Sequence, residues 1–321
     1  MINEEMFLIS DLKEVKKVAM RDGYGEGLVE IGRKRSEVVV LCADLMESTR
    51  TDLFKKEFPE RFLEMGISEQ NMMGVAAGMA ACGKIPFVNS FASFQPGRNW
   101  EQLRVSVCLS HNNVKVIGGH AGVGNGSDGG NQQMYEDIAL TRVLPNIMVV
   151  APADYEQAKK MVYAITEYVG PVYMRMTKPL RPVITSKGTP FVLGKAQVLR
   201  YGKQVTVVAC GAMVYEAMFA AEELAGQIEV EVINVHTIKP LDSQTILTSV
   251  AKTKKVVVAE EHSIIGGLGG AVAELLAEEL PVKMRRVGMR DRFGETGEPE
   301  ELMAKFGMTS QAIIAKIKEL V

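Results

Sequence analysis

Three stretches of this 321-residue chain combine residue types that can do chemistry. The first is Gly66-Ile67-Ser68-Glu69-Gln70-Asn71, where a carboxylate opens a helical pattern that carries Gly74, Ala77, Gly78 and Ala81 along one face. Small residues at three- and four-residue spacing let another backbone approach closely. Glu69 then lies beside a tight interface, where a buried carboxyl can hold or give a proton. A first-turn glutamate that merely answers the helix dipole, worth about 0.3–1 kcal/mol, has the same appearance. The second stretch is Phe91-Ala92-Ser93-Phe94. Two aromatics three residues apart on a helical turn can wall a flat heterocycle, and equally can be core residues. The third is the loop Gly118–Gly130, with His120 and Asp128 set among its glycines. Glycines permit positive φ and close approach of a ligand to backbone, and packing explains a histidine and an aspartate there poorly. The loop contains Gly124-x-Gly126-x-x-Gly129, formally a dinucleotide fingerprint. It lies inside a long loop instead of forming the first tight turn of a βαβ unit, so it is not taken as one.

The elements that must position these residues follow an α/β pattern. The runs Val38–Leu41, Val114–Ile117, Ile147–Val150 and Val172–Met174 are near-continuously apolar, as suits strands covered on both faces. A further strand is expected at Phe62–Met65, and helices over Asn71–Ala81, Met134–Val143 and Tyr155–Glu167. Such alternation predicts parallel sheets with right-handed crossovers. Pro179, Pro182, Gly188 and Pro190 break the pattern, which places a linker between Lys178 and Pro190. A second set follows: strands at Val205–Val208, Val230–Val235 and Lys255–Ala259, a helix through Ala217–Leu224, and the turn Gly266–Gly270 before another helix. Two doubly wound domains are expected, residues 1–185 and 190–321, each with its own core.

Composition narrows the function. Thirty-seven basic against 39 acidic residues leave a net charge of −2, so no electrostatic footprint for nucleic acid or an anionic membrane is present. Arg33-Lys34-Arg35 reads as a solvated helix end. No apolar run reaches the roughly 20 residues that span a bilayer, and residues 1–17 lack the apolar core of a secretory signal. Cys42, Cys82, Cys108 and Cys210 are too scattered for a metal site or a disulfide framework. A cytoplasmic enzyme with reduced thiols fits these facts. His111, His236, His262 and the Gly266–Gly270 turn are assigned structural roles.

Taken in order, these elements resemble the C-terminal two-thirds of transketolase, over nearly the whole chain, down to Thr237-Ile238-Lys239-Pro240-Leu241-Asp242 and Glu260-Glu261-His262. The resemblance implies a thiamine-diphosphate pyrimidine-binding domain followed by a transketolase C-terminal-like domain. Glu69 matches the glutamate that hydrogen-bonds the pyrimidine ring and favours its imino tautomer. Phe91 and Phe94 match aromatics packed on that ring, and Asp44 and Ser48 match an Asp-x-x-x-Ser feature near cofactor and substrate phosphate. His120 and Asp128 match sugar-contacting residues, while Arg21 and Arg175 fall where the family places phosphate-binding arginines. Gln132 stands where microbial relatives usually carry histidine, a change that bears on substrate preference. The family holds the cofactor's diphosphate and Mg2+ with a Gly-Asp-Gly motif that this sequence lacks. The resemblance therefore implies the C-terminal subunit of a split transketolase, active only with an N-terminal subunit in a heterotetramer, and moving a two-carbon unit between sugar phosphates. The nearest rivals are the beta subunit of a 2-oxoacid dehydrogenase decarboxylase, deoxyxylulose phosphate synthase (normally one long chain), and a non-catalytic subunit of the same fold.

Overall fold

The computed structural model describes residues 1–9 and 11–321. Its strands are β1 (Lys17–Ala19), β2 (Val38–Cys42), β3 (Phe62–Glu64), β4 (Ile85–Phe91), β5 (Lys115–Gly119), β6 (Met148–Val150), β7 (Val172–Arg175) and β8 (Leu180–Pro182). They continue with β9 (Gln197–Arg200), β10 (Val205–Ala209), β11 (Val230–Asn234), β12 (Thr237–Lys239), β13 (Lys255–Ser263) and β14 (Lys283–Met289). The fold is α/β with two mainly parallel sheets, as the apolar runs predict.

The first sheet has the order β12-β6-β7-β5-β4-β2-β3. Its six strands from the first half are parallel, and only β12, at the edge, is antiparallel. The second sheet runs β14-β13-β10-β11-β9 and is parallel except for β9. Val38–Cys42 and Val205–Ala209 are buried at every position, because helices cover both sheet faces. In the first sheet the chain runs outward from β2 to β3, then crosses back to β4. The β2/β4 boundary is thus a switch point, and ligands of open parallel sheets bind outside the strand C-termini there.

The halves exchange edge elements. β12, from the second half, closes the first sheet, while Asn3 donates its N–H to the Leu199 carbonyl at the edge of the second. Each half has its own cluster, around Met20, Val40, Ile117 and Ile165 in the first and Val207, Ala217, Val232 and Ile313 in the second, and a third spans both. This third cluster runs from Val39, Met73 and Val116 through Ile147 to Val208, Ile233 and Val256. Ile238 of β12 belongs to this shared cluster, because β12 pairs with β6 of the first sheet.

Several expected elements differ in length. The helix expected from Met134 covers only Asp137–Arg142, because the glycine-rich loop extends to its start. The helix of the second half begins at Met213 instead of Ala217. The helix Glu69–Ala81 buries Met72, Met73, Ala76 and Ala77 and leaves Gly74, Gly78 and Ala81 exposed. A side chain built on Gly74 or Gly78 would meet nothing within 4 Å. That open stripe of small residues is retained although each interior glycine costs a helix about 1 kcal/mol.

Candidate functional site

The residues singled out above converge on one edge. Asp44 and Ser48 follow the C-terminus of β2, Glu69 follows β3, Phe91 ends β4, His120 follows β5 and Arg175 ends β7. Parallel strands point their C-termini the same way, so scattered sequence positions meet at the sheet's ligand-binding edge.

Glu69 sits in the first turn of its helix and is almost wholly buried, at 1% exposure. Its Oε2 accepts from Arg98 Nη1 at 2.9 Å, and the Glu69 carbonyl accepts from Asn99 Nδ2. The Arg98 guanidinium also lies 4.5 Å over the Phe94 ring. The Phe94 and Phe91 rings are nearly parallel, 14° apart with centroids 6.2 Å apart. Arg98 is thus a flat N–H donor that stacks on Phe94 and hydrogen-bonds Glu69. A planar nitrogen heterocycle with an N–H donor fits the same pair of surfaces. Asp44 lies at this edge with exposed side chain and φ of 57°, its N–H bound by Glu64 at 2.7 Å.

His120 follows Gly119 with φ of 57° and is 3% exposed, its ring 4.0 Å from that of Phe91. Burial pushes its imidazole down to about 3, reinforced by Arg21 and Lys178 and opposed by Asp128. It is therefore neutral at physiological pH, able to donate from one nitrogen and accept at the other. Asp128 is ion-paired with Lys178 at 2.8 Å. Gln132 lies near the aromatic turn: Ser93 Oγ donates to its Oε1 at 3.4 Å, and its carbonyl accepts from Asn125 Nδ2. Arg21 and Ser48 also meet, through donation from Arg21 Nη1 to the Ser48 carbonyl at 3.0 Å.

Arg175 is paired within the chain. It is 4% exposed, and its Nε is paired with Asp137 at 2.9 Å while its Nη2 donates to the Glu261 carbonyl. Asp137 also accepts from Tyr173 Oη, and His262 Nε2 accepts from the N–H of Ile138. Nε and Nη2 are committed to Asp137 and Glu261, and Nη1 has no partner among the described residues. Through Glu261, Arg175 ties β7 to the second half of the chain. His262 likewise caps the start of the helix Asp137–Arg142 across the same junction, in keeping with a structural role.

The loop that carries His120 and Asp128 is held from the second half. Glu261 Oε1 accepts from the Gly124 N–H at 2.8 Å. Gly122, at φ of 86°, leaves no room for a side chain, since a Cβ there would lie 2.3 Å from Glu261 Oε1. Sequence reasoning missed Arg98, Lys178, Asn125, Asp137 and Glu261. For Lys178 a signal existed, as it lies just past the predicted strand Val172–Met174. For the other four no local pattern distinguishes them.

Among the described residues, no cluster of His, Cys, Asp or Glu could hold a metal ion, and no helix is long and apolar enough to cross a membrane. Cys42, Cys108 and Cys210 are buried and Cys82 is exposed, all as free thiols.

Residues 16–183 match the family model described as transketolase, pyrimidine binding domain, and residues 194–313 match transketolase, C-terminal domain. The chain is 46% identical over 305 residues to a putative transketolase C-terminal section of Methanocaldococcus jannaschii, covering 94% of this chain and 95% of that one. It is 44% identical to a 6-deoxy-6-sulfo-D-fructose transketolase subunit of Clostridium sp. (strain MSTE9), with 94% of each chain covered. Among solved structures it is similar to a split gene transketolase in an inactive beta4 tetramer, with a TM-score of 0.87 and 43% identity over 95% of this chain and 98% of that one.

Proposed function

The chain belongs to the transketolase family, and on that premise we propose that it is the C-terminal subunit of a cytoplasmic thiamine diphosphate-dependent transketolase, completed by an N-terminal subunit. In this reading the partner holds the diphosphate and Mg2+, and the assembled enzyme moves a two-carbon ketol unit from a ketose to an aldose with anionic ends. The observation that carries the reading is the meeting of Glu69, Phe91, Phe94, His120, Asp128 and Arg21 at one sheet edge.

When bound, thiamine diphosphate supplies the electron sink for breaking and remaking a carbon–carbon bond. This chain's residues do the positioning. Phe94 offers a flat face, and Glu69 presents a buried carboxyl at its edge. Glu69 and Phe94 would hold the pyrimidine at the place Arg98 occupies in this chain, so binding would require the Arg98–Glu69 pair to open. His120, neutral and held by the loop, hydrogen-bonds the sugar chain beside Asp128. Such a site rejects analogues lacking those hydroxyls, because its own polar groups are then left unpaired. The exposed Gly74, Gly78 and Ala81 face serves subunit contact, and the assembly is a heterotetramer.

The reading is tested by mixing the chain with a Gly-Asp-Gly-bearing N-terminal subunit, thiamine diphosphate and Mg2+, then supplying xylulose 5-phosphate and ribose 5-phosphate. Heptulose phosphate formed only when both chains are present is the expected result. No ketol transfer by a cofactor-loaded complex to any aldose would overturn it.

A further inference from the structure

The loop after β5 packs against the second half of the chain along its glycine-rich length. A Cβ on Gly124 would lie 2.9 Å from Glu261 Oε1. One on Gly126 would lie 3.0 Å from the Pro299 ring, and one on Gly130 2.6 Å from the Gly294 carbonyl oxygen. With Gly122, these are positions where the second half leaves little or no room for a side chain. Two pieces form the mould: Glu261 in β13, and residues 294–299, which lead into the helix Pro299–Lys305. Gln133 Nε2 joins the loop to the second piece, donating to the Gly126 and Glu295 carbonyls at 3.0 and 2.8 Å. Glu261 is 2% exposed. Its Oε1 accepts from the Gly124 N–H, while its Oε2 lies 3.6 Å from Arg181 Nη2 and has no hydrogen-bond partner among the described residues. Burying a carboxylate with so few partners costs stability, so the fold alone does not account for the charge. The bond it makes falls at Gly124, midway along the sequence between His120 and Asp128.

We propose that Glu261 is a positioning residue for ketol transfer: from the second half of the chain it pins the loop at Gly124 and so sets where His120 and Asp128 meet the sugar. The proposal rests on the transketolase reading and deepens it. Glu261 acts through the Gly124 N–H and not by touching the sugar. The second domain thereby takes part in catalysis, as the template on which the loop is shaped.

The test uses the reconstituted complex, with kcat/KM measured for xylulose 5-phosphate and thiamine diphosphate affinity measured by calorimetry. Glu261→Ala removes the acceptor and should lower kcat/KM by about 10- to 100-fold, the scale of a slightly misplaced contact. Thiamine diphosphate affinity should stay near wild type, because Glu69 and Phe94 lie outside the loop. Glu261→Gln keeps an oxygen for the Gly124 N–H and should recover most of the loss. Gly124→Ala approaches from the other side: its Cβ pushes the carboxylate away and should cost a similar factor. Added to Glu261→Ala it should cost little more, since both changes break one contact. Unchanged kcat/KM in Glu261→Ala, a loss matched by equally weakened cofactor binding, or a Glu261→Gln complex as impaired as Glu261→Ala would each overturn the proposal. If the wild-type complex transfers no ketol unit, the transketolase reading falls by itself. Hydrogen exchange at the Gly124 amide of the full chain then decides the hold on the loop. Exchange faster in Glu261→Ala but not in Glu261→Gln sustains it, and exchange unchanged in Glu261→Ala refutes it.

Discussion

Arg98 Nη1 lies 2.9 Å from Glu69 Oε2, joining a side chain that is 47% exposed to one that is 2% exposed. The asymmetry has consequences for variants of either partner. Removing Glu69 leaves a cation that can turn to water. Glu69→Ala should therefore keep the chain folded, with stability within about 1–2 kcal/mol of wild type. In the reconstituted complex it should cut kcat by about 100-fold or more, the scale of a lost proton-handling group. Urea unfolding and turnover measured side by side check this, and near-normal turnover would refute the role given to Glu69.

Arg98→Met acts in the opposite way, because it leaves a buried carboxylate alone. A loss of about 1–3 kcal/mol is expected for the isolated chain. The deficit should shrink in the cofactor-loaded complex, where the pyrimidine takes over the Glu69 contact. Thermal melts of both forms, wild type against variant, measure the difference. An equal deficit in both would mean that the guanidinium is not replaced.

Arg175→Met should behave as a stability variant. It leaves Asp137 buried and unpaired, a loss of about 3–5 kcal/mol. The surviving folded complex should bind ketose phosphates with KM near wild type. A large rise in KM without loss of stability would return Arg175 to the substrate site.

Gly74→Leu projects a side chain into open space from the exposed stripe of the helix Glu69–Ala81. In the isolated chain it should be neutral or stabilising by up to about 1 kcal/mol, through helix propensity. In solution it should lower the assembly state seen by light scattering. Unaltered assembly would place the subunit contact elsewhere.

Acid should weaken the fold early. Burial pushes His120 down to about 3 and both His236 and His262 down to about 4. Between those values and about 6.5 the unfolded chain takes up protons that the folded chain refuses, so stability is lost as pH falls through that window. Glu260, pushed up to about 7 by burial, works in the opposite direction, since the folded chain holds its proton where the unfolded chain has released it. Burial also raises Glu136 and Glu216, by less, and the three large imidazole shifts outweigh these three carboxyls. Urea midpoints should fall between pH 6.5 and pH 5, and a flat or rising midpoint would contradict the balance.

The sequence by itself determined the parallel strands, the glutamate at the start of its helix, and the glycine loop with its histidine and aspartate. Each of these rests on local information: apolar runs three to six residues long, helical spacing, and the backbone freedom of glycine. From the strand order follows the gathering of Glu69, Phe91 and His120, because parallel strands share an end. Only the tertiary structure decided which polar groups pair. Asp137 claims Arg175 across 38 positions, and Glu261 grips Gly124 across 137. It also decided that one apolar cluster spans both halves and that Lys178 and Asn125 line one cavity. Burial partners of charged groups depend on which strand ends and loops meet in space. No periodicity in the chain encodes that, so the Asp137 partner of Arg175 could not be read from the sequence.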